Sequence, residues 1–324
     1  MISIAMCTYN GAKYIEEQLQ SILQQTLPPD EMIICDDCSK DDTVEVVNTV
    51  LASWNGKWKL IRNEHNLGFK KNFQKAIENC TGDIIFLSDQ DDVWHKDKIQ
   101  KVMKVFSDNP DCILAFHDAV LVDGNLKQIA PSFWQTLKFQ PEDFLKRNYK
   151  RLMESNVVQG AACAFKKELF YESLPFPSEA IHDEWLALNA ITVGTVVPIS
   201  EKLLDYRQSG SNAIGAVEKE TLNVKVKNWL FSFSKAAEKH VDTIRRRKNL
   251  LVNLLEHTDG MNVIGDNATL QDFCSFYVNR LDYVNGKTNS IAFGVSDYNK
   301  FYLEKNFAIK QYLKDRLAKI CHHK

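Results

Sequence analysis

The sequence predicts an α/β fold, a doubly wound and mostly parallel sheet flanked by helices, followed by a mainly helical C-terminal region. Three observations carry this expectation. Short apolar, β-rich runs alternate with amphipathic stretches through the first half, and each run ends in a polar cluster. Beyond about residue 215 strand signals fade, and helical stretches bearing Lys, Arg and aromatic residues take over. Strand–helix alternation implies parallel strands covered on both faces, with ligands bound at their carboxyl ends.

Taken in order, Ser3–Cys7, Glu31–Asp36, Trp58–Arg62 and Asp83–Leu87 read as strands. Between them, Lys13–Gln25, Thr43–Ser53 and Lys70–Asn79 carry apolar residues at helical spacing, in the first at Tyr14, Ile15, Leu19, Ile22 and Leu23. The third follows Asn66-Leu67-Gly68, a turn signal. From 110 to 200 the pattern is mixed: Cys112–Phe116 and Gly160–Phe165 read as strands, Asp183–Ile191 as a helix. It changes around Gly210–Gly215, which sets a boundary near 215, with halves at about 1–110 and 111–215 before it and a helical region over 216–324.

The 324 residues leave room for one large domain with an appendage, and 44% hydrophobic with 25% charged residues is an ordinary globular composition. A net charge of -2 gives no reason to expect nucleic acid as a partner. The longest apolar stretch, Trp185 to Ile199, is too short to span a bilayer and contains Asn189 and Gly194. The chain enters its first strand at Ile2 without the basic region and apolar core of a signal peptide, so a cytoplasmic location is expected. Of the eight cysteines only Cys35 and Cys38 stand at C-x-x-C spacing. No second ligand pair suits zinc, and Asp36 and Asp37 between the thiols oppose thiolate formation, so reduced thiols are expected.

The polar strand ends concentrate the chemistry. The first strand runs into Thr8-Tyr9-Asn10, the second into Asp36-Asp37-Cys38-Ser39-Lys40-Asp41-Asp42-Thr43, and the fourth into Ser88-Asp89-Gln90-Asp91-Asp92-Val93-Trp94. On a parallel sheet these clusters converge on one edge. Ser39, Asp41 or Asp42 can serve as caps for the helix near Thr43. Capping cannot absorb three carboxylates within Asp89–Asp92, which favours a bound cation; hard oxygen ligands beside a ligand edge suit Mg2+ or Mn2+. Neither a P-loop nor a G-x-G-x-x-G fingerprint is present, so a divalent ion on the D-x-D would have to neutralise a diphosphate.

Together, Cys7-Thr8-Tyr9-Asn10-Gly11, the Asp36–Thr43 run, Asn66-Leu67-Gly68 and Ser88–Trp94 resemble glycosyltransferase family 2, whose fold is GT-A. His182-Asp183-Glu184-Trp185 and Tyr206-Arg207-Gln208-Ser209-Gly210-Ser211-Asn212 are similar to that family's acceptor-side motifs. The S-D-Q-D-D-V-W and Y-R-Q versions look like bacterial surface-polysaccharide enzymes of the rhamnosyltransferase type. The resemblance covers about residues 1–215 and makes 1–110 the nucleotide-sugar half and 111–215 the acceptor half.

That resemblance implies an inverting transferase acting on a nucleotide-sugar donor and a saccharide acceptor, lipid-linked in that setting. It places Thr8, Tyr9 and Asn10 against base and ribose, with Asp37 bonding the base and Asp36 serving the loop itself. Asn66 and Lys71 would lie near base or phosphates. Asp89 would approach ribose and metal, Asp91 would be the firmest metal ligand, and Asp92 and Trp94 would shape the donor-sugar site. Asp183 matches the general base, with Glu184 as the other candidate. His182, where many relatives carry Glu, either tunes Asp183 at the substrate or simply starts a helix. Arg207 suits a diphosphate, the alternative being a surface ion pair with a residue such as Asp205. Relatives often carry His where this chain has Ser209, so a third protein metal ligand is not matched.

In the helical region, residues 221–250 carry eight Lys or Arg against Glu238 and Asp242, interleaved with Trp229, Leu230, Phe231 and Phe233. Two readings stand: an interfacial helix on anionic lipid at the cytoplasmic face of the inner membrane, or a helix packing onto the catalytic domain or onto another copy. Two other functions compete with transfer. A degenerate nucleotide- or glycan-binding module would not need both the D-x-D and Asp183. A nucleotidyltransferase would carry a glycine-rich, basic loop after the first strand, where this chain has Thr8-Tyr9-Asn10-Gly11-Ala12.

Overall fold

A computed structural model describes residues 1–145, 149–208, 222–258, 267–285, 287, 298, 301, 311–316 and 318–319, without the side chains of 222–237 and 267–269. Ser209–Asn212 and the side chains of Trp229–Phe233 therefore lie outside the described residues. The chain divides into two compact units, one of residues 1–148, 157–176 and 181–215, the other of 149–156, 177–180 and 216–324.

The first unit is built on a mixed sheet in the order β3-β2-β1-β4-β8-β6-β9-β5, with β7 paired to β6. Strands β1 (Ile2–Thr8), β2 (Glu31–Asp36) and β4 (Ile84–Ser88) are buried along their whole length, as apolar runs in a parallel sheet must be. Strand β3 (Lys57–Arg62) is the edge, and Lys57, Lys59 and Arg62 keep it from pairing further. Helices α1 (Ile15–Leu23), α2 (Thr43–Leu51) and α3 (Phe69–Asn79) make the crossovers. In α1 the stripe Ile15, Leu19 and Ile22 is fully buried, each worth about 1.5–3 kcal/mol over leaving it in water.

Register decides where the polar strand ends fall. Thr8 lies opposite Asp36, Asp36 opposite Arg62, and Met6 opposite Ser88, so the clusters meet on one edge as the sequence predicts. The order 3-2-1-4 reverses between β1 and β4, and a ligand crevice opens at such a reversal.

The remainder of the sheet departs from simple alternation. After β5 (Val93–Trp94) and α4 (Lys98–Asp108) comes β6 (Cys112–Asp123), much longer than the Cys112–Phe116 expected. Then follow β7 (Gln128–Ala130) and the short helices α5 (Phe133–Leu137), α6 (Pro141–Leu145) and α7 (Lys150–Glu154). The Gly160–Phe165 expectation resolves into a 3-10 turn, Gly160–Ala162, and strand β8 (Cys163–Lys166). Because β8 runs antiparallel to β4, its preceding turn sits at the carboxyl end of β4. Helix α8 (Lys167–Glu172) leads to α9 (His182–Val193), which is buried on nearly every side and so lacks the amphipathic stripe that marks surface helices. Strand β9 (Thr195–Gln208), absent from the sequence reading, runs parallel to β6 and antiparallel to β5, carrying Arg207 back to the acidic loop.

In the second unit α10 (Leu222–His257) and α11 (Asn267–Val284) pack together around Asp315, which is fully buried. Arg280 donates to it from Nε at 2.7 Å and Nη2 at 3.0 Å, and His240 and Tyr298 complete its shell. Burial alone would raise the Asp315 pKa; the Arg280 charge and these hydrogen bonds outweigh it and hold the carboxyl below its ordinary value. The Arg245–Arg247 run is not one basic face. Arg245 pairs with Asp242, Arg246 donates to the Glu179 carbonyl at 3.2 Å, and Arg247 is buried. Its guanidinium donates to the carbonyls of Leu152 and, at 2.6 Å, Met153, in the last turn of α7, where the helix itself offers no donor. Arg247 is thus withdrawn from any membrane-facing role.

Arg247→Met should lower stability by about 2–4 kcal/mol, because two buried carbonyls lose charged donors. Arg245→Gln should change it by less than about 0.5 kcal/mol. Calorimetric melting of both variants checks this, and equal melting temperatures would refute the anchoring role.

Candidate active site

The loop after β1 is held by its neighbours rather than by its own turns. Asn10 adopts φ 50°, and its backbone N–H donates to Ser39 Oγ at 2.9 Å. The Gly11 N–H donates to Thr43 Oγ1 at 2.8 Å and that of Ala12 to Asp41 Oδ2 at 3.0 Å. Across the switch point, Gln90 grips Tyr9: its Oε1 accepts the Tyr9 N–H at 2.8 Å and its Nε2 donates to the Tyr9 carbonyl at 3.1 Å. A Cβ on Gly11 would stand 2.0 Å from Gln90 Oε1, so only glycine permits this clamp. Tyr9 and Asn10 face solvent, whereas Thr8 is buried and donates its hydroxyl to Asp36 Oδ1 at 3.0 Å.

The carboxylates after β2 are consumed in loop construction. Asp36 also receives the Ser39 hydroxyl and, at 3.0 Å, the Ser39 N–H, which matches its expected loop role. Asp41 takes the Thr43 N–H at 3.2 Å, while Asp42 occupies the N-cap of α2 without a side-chain capping bond. Asp37 accepts from Asn63 Nδ2 and the Leu67 N–H at 2.8 Å, and from the Gly68 N–H at 2.9 Å. It therefore fixes the Asn66-Leu67-Gly68 turn and keeps one acceptor direction beyond these three. Asn66 and Lys71 are exposed on the outer side of this turn and at the start of α3.

The carboxylates after β4 are crowded together instead. Burial, then the charges of Asp91 and Asp183, push Asp89 up to about 7. Asp92 is fully buried; burial, then Asp91 and Asp89, hold it well above the carboxylate range. Its Oδ1 takes the Arg207 N–H at 3.0 Å, and its Oδ2 has no hydrogen-bond partner among the described residues. Trp94 is 2% exposed and lies against Phe86, so Asp92 and Trp94 sit beneath the loop instead of on its surface. Lys98 is completely buried here, its Nζ donating to the Ala161 carbonyl at 2.6 Å and standing 3.4 Å from the Trp94 ring centroid.

Arg207 is 2% exposed and locks the loop from behind. Its Nε donates to the Asp91 carbonyl at 2.6 Å, its Nη1 to the Gly124 carbonyl at 2.8 Å, and its Nη2 to Glu17, with the guanidinium 4.5 Å from the Tyr14 ring centroid. Its ion pair is with Glu17, not Asp205, which pairs with His95 at 3.1 Å. Three guanidinium N–H groups are thus engaged within the chain, and the residue expected at the diphosphate acts on the Asp91 backbone.

The base candidate lies on the far side. Asp183, in the first turn of α9, takes the Gly160 N–H on Oδ2 at 2.9 Å and the Glu184 N–H on Oδ1 at 2.6 Å. Burial, then the Glu184 charge, push Asp183 up to about 7 against these bonds. Such a carboxylate can accept a proton near neutrality. Its charge also raises Asp89, which ties the two acidic groups into one site. His182 is buried and stacks on Phe73 with centroids 4.1 Å apart. Burial, then Lys70, push its pKa down to about 3, and neither ring nitrogen has a partner among the described residues.

No trio of His, Cys, Asp or Glu forms a ready cage for a metal among the described residues. Asp89 and Asp91 are half-buried carboxylates whose crowding a cation would relieve, so they are the residues that would hold one. That fits Mg2+ or Mn2+, which keep several positions for water and phosphate.

An acidic loop and an opposed carboxylate at the switch point of a sheet of this order define the GT-A class of nucleotide-sugar transferase folds. The chain belongs to that class through one family: the Glycosyl transferase family 2 model matches residues 3–174. It is 30% identical over 226 residues to a dTDP-rhamnosyl transferase, RfbG, of Shigella flexneri, covering 65% of this chain and 74% of that one. It is 32% identical over 116 residues to a putative teichuronic acid biosynthesis glycosyltransferase, TuaG, of Bacillus subtilis, covering 36% of this chain and 45% of that one. The chain spans 54% of a Haemophilus influenzae glycosyltransferase and 66% of a Nostoc one. Among solved structures, S. aureus TarS 1-349 in complex with UDP-GlcNAc superposes with TM-score 0.61 at 14% identity, covering 99% of this chain and 90% of that one. A Pyrobaculum calidifontis mannosyltransferase in complex with GDP-Man and Mn2+ gives 0.53 at 15%, covering 99% and 86%.

The raised Asp183 carries a sign that can be checked. Its folded pKa lies above its unfolded one, so the native state keeps a proton that the unfolded chain releases between about pH 4 and 7, and stability falls as pH rises through that window. Asp183→Asn should therefore melt higher than the parent above pH 7, by at most about 4 kcal/mol, with the difference vanishing below pH 4. A pH-independent difference would mean that Asp183 titrates normally.

Proposed function

We propose that the protein is a metal-dependent, inverting glycosyltransferase moving a sugar from a nucleotide-diphospho-sugar, dTDP-rhamnose or a UDP-hexose, to a saccharide acceptor. The observation that carries this reading is Asp183, a buried carboxylate raised to about 7 and facing the Asp89 field. In the reaction the acceptor hydroxyl oxygen attacks the anomeric carbon, the bond to the diphosphate breaks with its electron pair, and the hydroxyl proton passes to Asp183. Tyr9, Asn10, Asn66, Lys71 and the remaining acceptor direction of Asp37 would receive the nucleotide. Asp89 and Asp91 would hold Mg2+ or Mn2+, which supplies electrostatic stabilisation of the diphosphate leaving group. His182, buried against Phe73, would serve the start of α9 beside Asp183 and not the substrate.

Residues 1–215 would form the catalytic domain and 216–324 a helical extension. The setting would be bacterial cell-surface polysaccharide synthesis in the cytoplasm, with a lipid-linked acceptor drawing the enzyme to the inner membrane. No helix of the described residues is long and apolar enough to cross a membrane. The basic residues of 221–250 other than Arg247 suit an anionic surface, and contact between copies is the other role open to the same helices.

Thermal shift against UDP-, dTDP- and GDP-sugars with Mn2+ should find one stabilising donor. Asp91→Ala should lose the metal-dependent part of that shift and all transfer, and EDTA should stop transfer by the parent. Asp183→Asn should keep donor binding and lose roughly 10²–10⁴-fold in turnover. Transfer undiminished by EDTA would overturn the metal role; a wild-type rate for Asp183→Asn with a slow Glu184→Gln would move the base to Glu184.

A further inference from the structure

Lys98 stands outside every motif that carries the transferase reading, yet it is the buried cation between the two halves of the site. It opens α4, four residues past Trp94, and is fully buried. Such burial disfavours its charge, and the fields of Asp92 and Asp89 oppose that loss. A lysine is kept in such a place only if its ammonium does something a methyl-ended side chain cannot. On one side Nζ stands over the Trp94 ring at 3.4 Å, beneath the acidic loop. On the other it donates to the Ala161 carbonyl at 2.6 Å.

Ala161 is the middle of the turn whose first residue, Gly160, gives its N–H to Asp183 Oδ2 at 2.9 Å. That turn lies close against the start of α9: a Cβ added at Gly160 would stand 3.0 Å from His182 Nε2. Asp183 thus receives the Gly160 N–H, and the turn that presents this N–H is held at its next residue, Ala161, by Lys98. We propose that Lys98 is a positioning residue that ties the Gly160–Ala162 turn, and with it Asp183, to the Asp89–Asp92 loop. Its catalytic consequence rests on the transferase reading; the structural coupling does not.

Two variants separate these parts. Lys98→Met removes both charge and donor but fills the space, and Lys98→Gln keeps an N–H for the Ala161 carbonyl. Loss of a charged donor should speed amide exchange in a peptide covering 157–163 by roughly tenfold, with peptides from β1 and β2 unchanged. Turnover of Lys98→Met should fall roughly 10- to 100-fold, while KM for the donor stays within about threefold, because the nucleotide residues lie on the other loops. Lys98→Gln should fall between parent and Met in both measurements.

Exchange confined to 157–163 together with a kcat effect supports the proposal. Unchanged exchange, exchange raised throughout the sheet, or parental kcat in a variant with a loosened turn would each overturn it. If the parent transfers no sugar at all, the transferase reading fails, and the exchange measurement still decides whether Lys98 couples turn to loop.

Discussion

Carboxylate crowding at the carboxyl end of β4 is the constraint around which the first unit is organised. Asp89, Asp91 and Asp92 fall within four residues, and Asp183 is close enough for its charge to raise Asp89. Like charges at such separations repel by several kcal/mol in a poorly screened interior. Around them, burial holds the Asp92 carboxyl well above its ordinary range, Lys98 is buried against Trp94, and Arg207 locks the Asp91 backbone. Burial and the neighbouring carboxylates still leave Asp89 raised to about 7. A divalent ion and a diphosphate would complete the charge balance, and the binding of each would favour the other.

The acidic run after β2 obeys the opposite logic. Asp36, Asp37 and Asp41 each accept backbone or hydroxyl hydrogens from the loops around them. Their work is to freeze the Tyr9–Ala12 and Asn66–Gly68 segments in shapes that isolated turns would not keep. Two acidic clusters of similar composition thus differ, one fixing loop geometry and the other so crowded and buried that Asp89 and Asp92 are raised.

Much of this was legible in the sequence because the first four strands are short, apolar and punctuated, and a parallel pairing then places their ends together without further information. The β6–β9 region was not legible for a topological reason. Strand β8 enters antiparallel, so its functional end is its beginning, and no periodicity in Gly160–Phe165 announces that. Strand β9 mixes buried Val196, Leu203 and Leu204 with exposed Ser200, Glu201 and Lys202 around irregular pairing, which dilutes any alternation. Side-chain roles were legible only where the chemistry allowed one use. Asp36 met its expectation, whereas Arg207 could serve a phosphate or a backbone with the same fork of donors, and only the fold decides which. Lys98 stands among Lys96, Lys101 and Lys104, and composition gives no sign that this one points inward.

The antiparallel insertion of β8 explains how the Gly160 turn and the Asp89–Asp92 loop reach one end of the sheet. A purely parallel sheet would deliver to this edge only the strand ends that carry the nucleotide loops and the D-x-D. A strand running the other way delivers its start, and with it a backbone N–H pointing at Asp183. Asp183 is then held by a turn at the start of a strand, and that turn is held by the buried Lys98. Such rigidity costs stability, since a carboxylate raised to about 7 is strained in its ionised form. In the proposed transfer, that strain would make Asp183 a better proton acceptor than a fully solvated aspartate at neutral pH.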